Sequence, residues 1–181
     1  MQDNNWQKYF LKIALKYGLT GALLYVVALV VLYQIGSNPI MSNTLSGILV
    51  LILFVFFAVK EFRDIYNNKQ LHFWQGLLLG TATYLIIAVI SACFYYIYLS
   101  YINQELLINI QEIQRAFLAD NKVDMIEERG EAWYQESFDM IDNITVMDLA
   151  WDDFLRKAGI GVFVTIIISV ILRRVPKEYL N

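Results

Sequence analysis

The stretch from Tyr17 to Val59, YGLTGALLYVVALVVLYQIGSNPIMSNTLSGILVLILFVFFAV, holds 43 residues without one Asp, Glu, Lys, Arg or His. A helix that crosses a bilayer needs about 20 mostly apolar residues, so this stretch is too long for one span and sufficient for two. Gly36-Ser37-Asn38-Pro39 interrupts it with turn chemistry, because proline disfavours helical backbone in the residue before it. Helices are therefore expected at about 11–35 and 42–62, with Ser42, Asn43 or Thr44 available to cap the second.

Working outward, two more windows lack charge: Phe73–Gln104, 32 residues, and Ala158–Leu172, 15 residues. The third helix is expected from Phe73-Trp74 through Ile102. Neither Gly nor Pro follows for some distance, so its pattern is expected to run on unbroken to about residue 119, roughly 25 Å past the span at 1.5 Å per residue. The fourth window covers only about 22 Å, and Arg156, Lys157 and Arg173 are expected to snorkel from its ends.

Composition agrees. The chain of 181 residues is 58% hydrophobic and 17% charged, against about 25% charged in soluble domains. This argues against a soluble globule, a disordered chain, a nucleic-acid binder and a membrane β-barrel, whose strands alternate around a polar interior. The fold class read from the sequence is all-α: a polytopic membrane protein of four transmembrane helices with an outer-face helical insert between helices three and four. Lys8, Lys12 and Lys16 precede the first apolar run as in a signal peptide, but the run is too long and no A-x-A site follows. It is read as a retained helix.

Orientation follows from charge. Lys8, Lys12 and Lys16, then Lys60, Arg63 and Lys69, then Arg173, Arg174 and Lys177 all fall on one side of a four-helix bundle. The positive-inside rule makes that side cytoplasmic, with both termini there. Trp6, Tyr9, Phe73 and Trp74 mark the inner boundary, and Tyr33, Tyr98, Tyr101, Trp151 and Phe154 the outer one. Between Glu105 and Lys157 stand 13 acidic and 5 basic residues, net −8; the rest sets nine basic residues against Asp3, Glu61, Asp64 and Glu178, net +5. The acidic segment then faces outward, toward the periplasm of a Gram-negative host. The domain reading is 1–102 for helices one to three, 103–156 for the acidic extracytoplasmic insert, and 157–181 for helix four with its basic tail.

The insert carries helical stripes at Leu106, Ile110, Ile113 and Phe117, at Ile126, Trp133 and Met140, and at Met147, Trp151, Phe154 and Ala158. Thr145 and Asp148 fit a capping box variant, the chain is expected to turn near Asp120-Asn121, and Gly130 can break a helix. The expected result is an outer helical hairpin or a three-helix cap.

Leu15-Lys16-Tyr17-Gly18-Leu19, Glu61-Phe62-Arg63-Asp64-Ile65-Tyr66-Asn67, Phe73 with Gly80, and Ile171-Leu172-Arg173-Arg174 with Pro176 carry a family resemblance. On these residues the chain resembles the small four-helix membrane proteins of Bacteroidota grouped as domain-of-unknown-function family 4199, over nearly its whole length. Members often have a Gly-Gly turn after Arg-Asp and Ser-Phe before helix three; this chain has Asn67-Asn68-Lys69-Gln70 and His72-Phe73. The resemblance implies an inner-membrane location and no activity.

Three groups of residues are candidates for interaction. Gly76 and Gly80 form a GxxxG motif suited to close helix approach, either across a homodimer or, as favoured here, within the chain against Gly18 and Gly21 or Ala158, Gly159 and Gly161. Lys60, Arg63 and Asp64 form a candidate cytoplasmic interface, with Lys60 and Asp64 an i,i+4 pair and Arg63 placed to reach lipid phosphate or a helix end. Leu106, Ile110, Ile113, Phe117 and Trp133 form a candidate partner surface. Uncharged polar groups in the spans, Tyr25, Thr83, Ser91, Thr165 and Ser169 among them, more often bond backbone or a neighbouring helix than line a pathway.

No catalytic, cofactor or metal residues are assigned. Cys93 and His72 are the only residues of their types, too few for a structural zinc site. Asp124, Glu127, Glu128 and Glu131 lack a calcium-loop pattern and read as a solvated face. No ionisable group is expected deep in the membrane. The function read from these features is a non-enzymatic structural or accessory component of the inner membrane. Its partners are the bilayer and either a second copy or an envelope protein bound through the insert, not nucleic acid. The alternative is a small-molecule channel or transporter subunit acting as an oligomer.

Overall fold

Seven α-helices run in order α1 (Trp6–Gln34), α2 (Pro39–Glu61), α3 (Phe73–Ile97), α4 (Glu105–Asp120), α5 (Lys122–Arg129), α6 (Glu131–Asp142) and α7 (Val146–Leu172) among the described residues. The computed structural model describes residues 6–36 and 39–174. Asp3, Ser37, Asn38, Pro176, Lys177 and Glu178 lie outside the described residues, as do the side chains of Trp6, Lys8, Pro39 and Ser42. Among the described residues, four helical segments are long and apolar enough to cross a membrane: Tyr9–Gln34, Asn43–Tyr66, Phe73–Ile102 and Val146–Leu172. Helices suit such sequences because every backbone amide bonds within its own segment.

The chain divides into two compact units, residues 1–92 with 153–181, and residues 93–152. The acidic segment, Glu105 onward, falls largely in the second of these units. In the first unit, α1 buries Ile13, Ala14, Ala22, Tyr25 and Leu29 at helical spacing, while Leu11, Leu15, Leu19, Leu23, Val27 and Val31 form an exposed row four residues apart. On α7 the pattern is largely inverted, although Ile168 and Leu172 are buried beside the polar residues. Its buried face reads Ala150, Asp153, Lys157, Gly161, Thr165, Ser169 and Leu172, and its exposed face Val162, Phe163, Ile166, Ile167, Val170 and Ile171. Soluble proteins rarely expose apolar surface on this scale; lipid-facing helices do, because lipid tails are as apolar as the side chains that meet them.

α2 continues through a π-helical turn, Phe62–Tyr66, and the loop to α3 places Asn68 (φ 50°) and Lys69 (φ 61°) in the left-handed region. Glycine would take that backbone without steric cost; Asn and Lys stand here instead. Asn67 Nδ2 donates to Gln70 O (2.7 Å) and to Gln75 Oε1 (3.0 Å), holding the turn. Leu71 N–H donates to Arg174 O (2.8 Å) and Arg174 N–H to Leu71 O (3.0 Å), which ties the loop to the end of α7.

The third helix does not run unbroken to residue 119. It ends in a second π-helical turn, Tyr98–Ile102, where Asn103 N–H bonds Tyr98 O at 2.8 Å. The Asn103 Oδ1 then accepts the Leu106 amide at 3.2 Å and starts α4. Asparagine offers the backbone this alternative partner, so the break needs neither Gly nor Pro.

In the 93–152 unit, α4, α5 and α6 close on a core of Leu118, Tyr134 and Ile141, flanked by Met125, Ile126 and Phe138. Gly130 joins α5 to α6 with φ 90°, a backbone that glycine adopts freely. Arg115 holds Asp142 through Nε (2.8 Å) and Nη2 (2.5 Å), and Gln111 Nε2 donates to Ile141 O (3.1 Å). Thr145 and Asp148 cap α7 reciprocally, Thr145 N–H to Asp148 Oδ2 at 2.9 Å and Asp148 N–H to Thr145 Oγ1 at 3.3 Å. This is the capping-box exchange with Asp in place of Glu.

Candidate functional site

The most unusual chemistry lies where α1, α2 and α7 meet. Asp153 and Lys157 stand one turn apart on α7 and face the same way. Both are buried, 3% and 5% exposed. Lys157 Nζ donates to Asp153 Oδ1. The same oxygen accepts Asn43 Nδ2 of α2 at 3.0 Å, and Tyr25 OH of α1 donates to Asn43 Oδ1. Lys157 Nζ lies 4.1 Å from the centre of the Tyr25 ring, within cation–π range. Tyr25, Asn43, Asp153 and Lys157 thus form a closed circuit over three helices.

The circuit has a packing requirement. A Cβ at Gly47 would come within 2.9 Å of Lys157 Cε, so glycine makes room for the lysine stem. Beside it, Arg156 Nη1 donates to Thr44 Oγ1 at 3.2 Å. Two charges out of water are costly, and their mutual attraction repays this only with good geometry and added hydrogen bonds. Asn43 and the Tyr25 ring supply part of that compensation. Lys157 is thus buried between helices rather than snorkelling from a helix end as the sequence reading expected, and the bundle contains a buried ion pair. A signal for it was present: Asp153, Lys157, Gly161, Thr165 and Ser169 recur every four residues, a stripe of polar and small residues that a lipid-facing surface excludes.

A second cluster joins the start of α1 to the end of α2. Glu61 Oε2 accepts Lys16 Nζ (2.6 Å) and Tyr17 OH (2.5 Å), and Tyr9 stacks on Tyr66 at 4.5 Å. Of the candidate cytoplasmic residues, Arg63 engages Asp64 through Nε (2.7 Å) and Nη2 (3.1 Å), and its Nη1 donates to Leu172 O (3.4 Å). Arg63 thus reaches a helix end, the last turn of α7, where a cation meets unpaired carbonyls. Lys60 Nζ lies over the Phe56 ring at 5.8 Å.

The candidate packing glycines meet side chains of other helices rather than one another. A Cβ at Gly76 would sit 2.9 Å from Ser169 Oγ, and one at Gly80 2.5 Å from Thr165 Cγ2. Those at Gly18 and Gly21 would meet Ile86 (2.6 Å) and Ile87 (2.8 Å), and that at Gly161 would meet Tyr84 (2.6 Å). Gly159 faces open space and takes no part. Within the candidate partner surface, Leu106 and Ile110 are buried and only Phe117 is well exposed, at 61%. Ile113 and Trp133 are half-buried, Trp133 beneath Arg129 at 4.6 Å. Leu106 and Ile110 are therefore unavailable to a partner. Asp124, Glu127, Glu128 and Glu131 are all exposed.

Comparison with known families matches residues 16–174 to the family described as "Protein of unknown function (DUF4199)". The chain belongs to this family. The match ends at Arg174, the residue that pairs with Leu71, and takes in the whole Tyr25–Asn43–Asp153–Lys157 circuit. No curated protein and no solved structure matches the chain.

Proposed function

We propose that this DUF4199 chain is a multi-pass inner-membrane protein of a double-membraned bacterium, with both termini cytoplasmic. It is non-enzymatic and acts as a structural or accessory component. Its acidic 93–152 unit lies outside the cytoplasm and docks an envelope partner or a second copy. The observation that carries this reading is the division of charge: net −8 between Glu105 and Lys157, against nine basic residues grouped at the opposite helix ends. Phe117, Val123 and Met140, exposed at 61%, 67% and 53%, are the apolar contacts offered to a partner. Thiol labelling of a cysteine placed at Asp124 in a Cys93→Ser background tests the topology. Labelling only from the cytoplasmic side overturns it. Copurification after mild crosslinking tests the docking, and a chain recovered only as a stable monomer counts against it.

A second reading, a channel or transporter subunit working as an oligomer, draws support from the buried ion pair, since ionisable groups within spans often mark transport pathways. Against it, the two charges neutralise each other, and side chains fill the space at Gly76, Gly80 and Gly161.

A further inference from the structure

Asp153 carries an unfinished hydrogen-bond account. Its Oδ1 accepts both Lys157 and Asn43, whereas Oδ2 is buried and has no hydrogen-bond partner among the described residues. A carboxylate oxygen left unpaired in apolar surroundings is penalised by its lost hydration. Asp153 also lines a narrow cleft between α2 and α7, together with Asn43, Thr44, Ile48, Arg156 and Lys157. The room available to a solvent molecule is about 10 Å³, enough for about one water.

The charges choose among occupants of that size. Lys157 already neutralises Asp153, and the Arg156 guanidinium adds a positive charge to the rim, so a metal or ammonium ion is repelled. An anion is repelled by the Asp153 carboxylate, whose Oδ2 lone pairs have no donor among the described residues. A neutral molecule that both donates and accepts fits. An internal water needs two to four polar partners, and Asp153, Lys157 and Thr44 all line the same cleft, the Thr44 hydroxyl, which already donates to Ile40 O and accepts from Arg156, keeping one lone pair to accept another donor. We propose that Asp153, Lys157 and Thr44 hold one structural water molecule, which donates to Oδ2 and completes the circuit as a hydrated joint between α2 and α7. This stands independently of the role given to the acidic unit.

Filling the cleft distinguishes a wet joint from a dry void. In the full-length protein in detergent, Ile48→Phe should displace the water and lower Tm by about 3–6 °C, a typical response to 1–2 kcal/mol in a chain of this size. In an Asp153→Leu/Lys157→Leu background, where no carboxylate needs the water, the same substitution should leave Tm unchanged or raise it. Equal shifts in both backgrounds overturn the proposal. Should Ile48→Phe fail to fold, an experimental structure of the wild-type chain in lipid nanodiscs, resolved well enough to show water, decides. Density within about 3.2 Å of Oδ2 supports the site; a protein donor or an apolar atom in that place overturns it.

Discussion

The helices α7 and α6 solve opposite problems with the same backbone. α7 hides Asp153, Lys157, Thr165 and Ser169 and exposes Phe163, Ile167, Val170 and Ile171. α6 buries Tyr134 and Ile141 and exposes its Glu and Asp residues. The difference is the solvent each face meets. Water rewards apolar burial at about 25 cal/mol per Å², so α6 sorts its residues in the familiar way. Lipid offers no such reward and penalises unpaired polar groups, so α7 turns its polar and small residues toward its neighbours. The consequence is that the α7 circuit should be sensitive to electrostatic imbalance and the α6 core to lost volume.

The largest expected effect breaks the α7 side. Asp153→Leu leaves Lys157 buried and uncompensated, which should cost about 3–5 kcal/mol. Asp153→Leu/Lys157→Leu should cost far less than the single change, because no lone charge remains. Thermal unfolding in detergent, read as a double-mutant cycle, checks this; equal losses would mean that the pair carries no special coupling. On the α6 side, Ile141→Ala should cost about 2–4 kcal/mol by opening a cavity, whereas its exposed neighbour Met140→Ala should cost under about 0.5 kcal/mol. Hydrogen exchange across α4–α6 would report the loss in the unit where it occurs.

Packing in the first unit gives the next test. Gly80→Val places a side chain against Thr165, where a Cβ alone would approach to 2.5 Å. It should cost about 1–3 kcal/mol, while Gly159→Val, which meets nothing, should be close to neutral in the same melt apart from its local propensity. Removing the helix-end contact by Arg63→Ala should lower stability by about 1 kcal/mol; an unchanged melt would assign Arg63 to the surface alone. The smallest change expected is a gain. Lys69→Gly relieves a left-handed backbone at φ 61° and should stabilise by about 0.5 kcal/mol, the saving in strain being partly offset by the added freedom of the unfolded chain.

Element positions were legible where chemistry is local. The spans, the turn at Asp120-Asn121, the Gly130 break and the Thr145/Asp148 cap each depend on a few neighbouring residues, and each is found in the structure. The break at Asn103 was not anticipated, because its cause is a side chain competing for a backbone amide rather than a residue that cannot be helical. Faces were harder. In the acidic unit Phe117 of the first stripe and Trp133 and Met140 of the second each lie one residue from the core positions Leu118, Tyr134 and Ile141. One residue is about 100° around a helix, and with large apolar residues at adjacent positions, periodicity does not choose between them.

By itself, the sequence determined that the chain is helical and which segments are apolar enough to span a bilayer, because charge is costly in hydrocarbon and the 43 uncharged residues from Tyr17 to Val59 admit no soluble alternative. It also placed the residues 16–174 within their family. The four-residue stripe on α7 marked Asp153 and Lys157 as facing other helices; tertiary structure alone decided what they meet there. Their cost is met by Tyr25 and Asn43, which are 128 and 110 positions from Asp153 by subtraction. A partner so remote leaves no local pattern. Whether a charge at a helix end faces lipid, water or another helix depends on three helices brought together, and only the folded chain brings them together.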